Sequence, residues 1–230
     1  MNNVILWIIF MLIDLSAVLL AYKLFGKNGL YAIIAMSIIV CNIQVLKLVD
    51  MFGFAVTLGN ILYGSIFFAT DMLSEFHGKK AAKKGVWIGF FVIILATIYM
   101  QFALMFSPNA DDFAQPHLQA IFSLMPRIVF GSLVAYLLSQ THDVWAFHFW
   151  KKKTKDKQLW IRNNASTMIS QLIDSAVFCF IAFYGQFPIE IFWQILWTTY
   201  LFKLIVALID TPLMYLAKYV LFKDIKIDEE

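Results

Sequence analysis

Seven stretches of this chain are apolar over lengths that cross a lipid bilayer, and nothing else in the sequence narrows the choice of fold as much. A helix needs about 20 residues to traverse a hydrocarbon core of roughly 30 Å. The stretches fall near residues 4–24, 29–48, 53–73, 86–106, 119–140, 165–184 and 190–217, leaving little of the chain outside the membrane. Hydrophobic residues make up 61% and charged residues 14%, against roughly 45–50% and 25% in soluble domains. In hydrocarbon each backbone N–H and C=O has to be satisfied within the segment, so spanning segments of this length are helices. The sequence predicts an all-α, polytopic helical membrane protein with six or seven transmembrane helices. It forms a single domain over 1–230, with no Pro-, Gly- or Ser-rich linker.

Cations set the orientation, because cytoplasmic loops retain Lys and Arg. EFHGKKAAKK carries Lys79, Lys80, Lys83 and Lys84, whereas NADDFAQPH carries Asp111 and Asp112 with no cation. Placing the first inside and alternating puts the amino terminus outside, the carboxyl terminus inside, and all but three of the 18 basic residues on the cytoplasmic side. The exceptions are Lys47, outside, and Arg127 and Lys203, within spans. The net charge of +3 comes from short loops beside apolar spans, which fits anionic lipid rather than nucleic acid. The first segment lacks a short apolar core ending in a small-residue cleavage site and is expected to stay as a helix. Cys41 and Cys179 lie inside spans and are expected to be packing residues. His142 and His148 are six apart and share no helical face, so no metal site is expected there.

Polar residues inside such spans are the candidate functional positions. A charge at the bilayer centre costs between about 2.5 and 17 kcal/mol, depending on how it is measured. Six ionisable residues lie in or at the edges of the spans, namely Asp14, Asp71, Arg127, Asp174, Lys203 and Asp210, joined by the amides Asn42, Gln44, Asn60 and Gln171. Asp174 is near the middle of QLIDSAVFCFIAFYG, with Gln171 one turn earlier on the same face and Asn164 extending that face toward the cytoplasm. Lys203 and Asp210 are seven apart and also share a face, and depth alone permits an ion pair between Lys203 and Asp174. Pro126, just before Arg127, is expected to interrupt its helix and free a carbonyl. For Asp14 the sequence leaves a transport role open. Aromatic residues make up 17% of the chain, enough for lipid-facing belts and for a slot that stacks on a flat ligand. No GxxxxGK[ST], HExxH or GxSxG motif is present, so neither catalysis nor a cofactor is expected.

Four segments, FATDMLSEFHGKKAAKK, PRIVFGSLVAYLLSQTHDVWAF, LWIRNNASTMISQLIDSAVFCFIAFYG and FKLIVALIDTPLMYL, resemble in order and spacing the queuosine precursor transporter family, also called the vitamin uptake transporter family. The resemblance spans roughly residues 54–217. It implies a multi-pass cell-membrane protein that takes up a 7-deazaguanine base, such as 7-cyano-7-deazaguanine or its aminomethyl form. It implies substrate-site positions at Asp71, Glu75, Arg127, Gln140, Asp143, Asn163, Asn164, Gln171, Asp174, Lys203 and Asp210. Asn42 joins this candidate set as a polar residue within a span. The resemblance also implies that the helix at 4–24 is an addition to a core at 29–217. The expected partners are the base and the lipid bilayer, and the sequence leaves a homodimer open. An alternative reading makes the chain the substrate-capture subunit of a system driven by an ATPase module.

Overall fold

The protein's structure, a computed structural model, describes residues 2–153 and 159–217, with the side chains of 140–141, 143–144, 147–148, 150–153, 159–167, 207 and 210–211 outside the description. The elements in order are α1 (Asn3–Phe25), α2 (Lys27–Gln44), β1 (Leu48–Met51), β2 (Phe54–Thr57), α3 (Asn60–Met105), α4 (Gln115–Phe122), α5 (Met125–Lys153), α6 (Leu159–Phe183) and α7 (Ile189–Leu216). Five helical segments are long and apolar enough to cross a membrane, and a shorter apolar helix covers 168–183. The all-α polytopic reading holds.

Helix α3 contains two of the expected spans. Its 46 residues amount to about 69 Å of helix, twice the thickness of the hydrocarbon core. Gly78 interrupts it at φ 78°, ψ 170°, a region only glycine enters without strain. Leu73 and Gly85, which a straight helix would hold about 18 Å apart, are neighbours instead. The chain therefore folds back at Gly78, and α2 packs along the result, with the Tyr31 hydroxyl donating to the Ala81 carbonyl at 3.3 Å.

Two expected spans are shortened where they meet. The runs at 29–48 and 53–73 were read as helix up to a turn near Asp50, but α2 stops at Gln44 and α3 starts at Asn60. Between them β1 and β2 form an antiparallel hairpin in the register Leu48–Thr57, Val49–Val56, Asp50–Ala55 and Met51–Phe54. Phe52 and Gly53 make its two-residue turn, both at positive φ, 54° and 81°, the signs of a type I′ turn, whose twist matches that of the strands. The outward edge at Ala55 is covered by α7. Ala55 donates its N–H to Gln194 Oε1 at 3.0 Å, and its carbonyl accepts from the Thr198 hydroxyl at 3.2 Å. Backbone groups that leave the helical pattern need partners of this kind.

Pro126 also differs from expectation. The helical path breaks at Ser123–Leu124, and Pro126 is the second residue of α5. In the first turn a proline lacks only an N–H that has no partner in the helix anyway, so it starts this helix rather than interrupting it.

Buried side chains form two main cores. One joins α1, α2 and the first half of α3 through Trp7, Leu15, Tyr22, Ile34, Phe68, Met72 and Phe76. The other joins α5 and α6 through Ile128, Ala135, Phe178, Cys179 and Phe183. Helix α7 belongs to both, giving Phe192, Ile195 and Leu196 to the second core and Phe202 and Val206 to the first.

Candidate functional site

The two cores meet at a buried charge pair. Lys203 Nζ of α7 lies 2.5 Å from Asp174 Oδ2 of α6, with the side chains 7% and 4% exposed. Two hydroxyls complete the carboxylate's surroundings. Tyr63 of α3 donates across both oxygens at 3.2 and 3.3 Å, and Ser139 of α5 donates to Oδ1 at 3.3 Å. The ammonium stands over the Tyr63 ring, 4.1 Å from its centroid, and 5.9 Å from that of Phe178. Four helices thus supply one buried polar cluster. A buried pair is tolerable only when further hydrogen bonds meet it, and here Tyr63 and Ser139 meet the carboxylate while the Tyr63 ring lies under the ammonium.

Close helix approach makes the cluster possible. A Cβ on Gly64 would lie 2.1 Å from Val206 Cγ1, so only glycine lets α7 come this near to α3 and brings Lys203 onto Tyr63. Around the pair several buried oxygens lack a protein partner. They are Gln171 Oε1, one turn before Asp174, Ser175 Oγ beside it, and Thr199 Oγ1, one turn before Lys203.

The structure thus joins Asp174 to Lys203, the pairing that depth alone permitted, and keeps Gln171 close on the same helix. Asn42 is elsewhere. Its amide donates to the Ile38 carbonyl at 2.7 Å and accepts from Ser132 at 3.1 Å, tying α2 to α5. Arg127, in the first turn of α5, donates from Nε to the Ile181 carbonyl at 2.5 Å and from a terminal nitrogen to the Tyr184 carbonyl at 2.6 Å. These are carbonyls at the end of α6, where backbone acceptors run out of helical partners. Asp71 and Glu75 are exposed, in the half of α3 before Gly78. The side chains of Asn164 and Asp210, and those of Gln140, Asp143 and Asn163, fall outside the described residues. Tyr63, Ser139 and Phe178 went unnoticed in the sequence, where a hydroxyl or a ring within an apolar span is commonplace. Among the described residues, no group of three His, Cys, Asp or Glu could hold a metal ion.

Fold and site together define a multi-pass helical membrane protein with a buried charge pair between two helical cores. The family model described as "Putative vitamin uptake transporter" matches residues 57–217, and the chain belongs to this family. It is 43% identical to the "Probable queuosine precursor transporter" of Bacillus subtilis (strain 168) over 219 residues, covering 95% of this chain and 96% of that protein. It is 30% identical to the "Queuosine precursor transporter" of Escherichia coli (strain K12) over 173 residues, covering 73% of this chain and 74% of that one. A "Probable queuosine precursor transporter" of Haemophilus influenzae (strain ATCC 51907 / DSM 11121 / KW20 / Rd) is 28% identical over 162 residues, covering 69% of this chain and 66% of that protein. No solved structure matches the chain.

Proposed function

We propose that the chain imports a queuosine precursor, a 7-deazaguanine base such as 7-cyano-7-deazaguanine or its aminomethyl form, by alternating access around the Asp174–Lys203 pair. The names of the three relatives support the substrate class, and the placement of the pair between two cores supports the mechanism. The base presents N–H and NH2 donors side by side, which one carboxylate accepts with both oxygens. Lys203 holds that carboxylate while no base is bound. When the base arrives, the ammonium yields its place, stays over the Tyr63 ring and donates to the base carbonyl. Gln171, whose Oε1 has no protein partner, adds a further contact along the polar edge, and Tyr63 and Phe178 flank the ring. Asn164 and Asp210, on the same two helices, extend the path toward the cytoplasm, where Asp71 and Glu75 line its mouth. Asn42 and Arg127 hold the helices around this path.

The test is titration of 7-cyano-7-deazaguanine into purified wild type, Asp174→Asn and Gln171→Ala, with thermal melting alongside. Removing one partner of a charged hydrogen bond costs about 1.5–3 kcal/mol, so Asp174→Asn is expected to weaken binding roughly 10- to 100-fold. Gln171→Ala is expected to cost less, because water replaces part of a neutral contact. A folded Asp174→Asn protein that binds normally refutes the role of the carboxylate. Uptake by liposomes containing this protein alone separates a self-sufficient transporter from a capture subunit, which would bind the base without moving it.

A further inference from the structure

A second buried carboxylate sits apart from that pair. Asp14 is the middle residue of α1 and is 5% exposed. The Ser65 hydroxyl of α3 lies close to it, and its Oδ2 is buried without a partner. Ser65, itself fully buried, donates to the Leu62 carbonyl at 2.9 Å and lies 3.5 Å from the hydroxyl of Ser37 in α2. The groups facing Asp14 are few. Helix α2 offers Ser37 and the Cys41 thiol, and α3 offers Ser65. From α7 the nearest cation is Lys203, whose field reaches Cys41 together with that of Asp14 but whose ammonium is bound to Asp174. The Tyr22–His77 contact is eight residues further along α1, about 12 Å away, and the Asn3–Asp50 contact is eleven residues back, about 16 Å. Among the described residues no cation pairs with Asp14.

An ionised carboxylate at mid-bilayer with only hydroxyls around it is costly, whereas a carboxylic acid there needs one acceptor. Ser65 can be that acceptor. With its own proton committed to Leu62, its oxygen keeps lone pairs free to receive the acid O–H. A sodium ion would need several oxygens converging on it, and Asp14 has one hydroxyl beside it with another behind. From this geometry we infer that Asp14 is a proton-binding site whose occupancy is coupled to the Asp174–Lys203 pair. The coupling runs through three consecutive residues of α3. Tyr63 touches Asp174 and Lys203, Gly64 lets Val206 of α7 close in, and Ser65 faces Asp14. A shift of α3 that loosens Tyr63 from the pair also withdraws Ser65 from the acid, which then loses its proton as water enters.

This inference rests on the proposed transport of the base, and the experiment separates the two. Infrared difference spectra of wild type against Asp14→Asn in lipid are expected to contain the C=O stretch of a protonated carboxyl at neutral pH, whether or not base moves. In liposomes, an acid-outside proton gradient is expected to drive accumulation of 7-cyano-7-deazaguanine and an internal pH dye to report proton entry, while a sodium gradient at equal pH drives none. Asp14→Asn is expected to keep exchange of labelled for unlabelled base and to lose accumulation, and Asp14→Glu to restore it. An absent carboxyl band, sodium-driven accumulation, unaltered proton-driven accumulation in Asp14→Asn, or loss of exchange in a folded Asp14→Asn each overturns the inference. If Asp14→Asn does not fold, wild-type uptake that brings in no protons overturns it equally. A wild type that carries the band but moves no base defeats the proposed substrate and leaves the proton site standing.

Discussion

Uncoupling the charge pair by a double-mutant cycle tests the site most directly. Lys203→Met keeps the length of an unbranched side chain but leaves Asp174, 3% exposed, with only the Tyr63 and Ser139 hydroxyls. Asp174→Asn leaves the ammonium facing one amide oxygen and the Tyr63 ring. Each single change strands a buried charge and is expected to destabilise the fold by about 3–5 kcal/mol. If the two acted independently, the double variant would lose roughly 6–10 kcal/mol, a large share of the stability of a typical protein. With both charges gone, however, no ion is left at this site, and the new amide still accepts from Ser139 and Tyr63. Replacement of a whole buried pair is often neutral, so the double variant is expected to lose only about 1–3 kcal/mol. Unfolding in mixed micelles by added denaturing detergent, followed by tryptophan fluorescence, measures all four corners. Base binding, read in parallel, is expected to stay lost in the double variant although stability returns, because function needs the charges and folding does not. Losses that add to within about 0.5 kcal/mol would show that the two groups do not interact in the folded protein.

Other consequences follow from single contacts. Gly64→Val brings new atoms into the space of Val206, whose Cγ1 is already 2.1 Å from where a Cβ would sit. It is expected to cost about 1–3 kcal/mol of stability, partly recovered by Val206→Ala, with melting temperature as the readout. Arg127→Lys keeps the charge but serves one of the two carbonyls, Ile181 or Tyr184, that the planar guanidinium reaches together. It is expected to lower stability by about 1–2 kcal/mol without altering affinity for the base, so a changed affinity at unchanged melting would place Arg127 at the substrate instead. Single cysteines at Asn109 and Lys80 are expected to label from opposite sides of the membrane, external and cytoplasmic; labelling from one side refutes the topology.

Much of this architecture was legible because the bilayer imposes a length and an energy on every segment. Helices α1, α6 and α7 lie close to where hydropathy put them, and a carboxylate and an ammonium at similar depth are costly enough to seek each other. Legibility failed where neighbours decide. LKLVDMFGFAVT is apolar apart from Lys47, Asp50 and Thr57, so a sliding average merges its ends with the flanking spans, although its two halves around Phe-Gly form strands that depend on Gln194 and Thr198, far away in sequence. Tyr63 and Ser139 carry no mark of their own and become part of the site only through their partners on other helices, Asp174 and Lys203. Pro126 reads as an interruption in a span that begins at 119, whereas α5 begins at Met125. Asp14 stands out in the sequence as a charge within a span, but Ser65, close to it, comes from another helix, which spacing does not show.

The hairpin also bears on how the protein is made. The N–H and C=O of Ala55 are held by side chains that lie 139 and 143 residues later in the chain. A nascent chain inserted in order carries this strand edge through the synthesis of α3, α4, α5 and α6 without the α7 side chains that satisfy it. Until α7 arrives the hairpin can stay at the surface or pair with a foreign strand, and only the last helix draws it into place. The final span therefore acts as the assembly checkpoint of the whole bundle. Chains cut short before Ile189 are expected to be open to membrane quality-control proteases, however well their earlier helices insert.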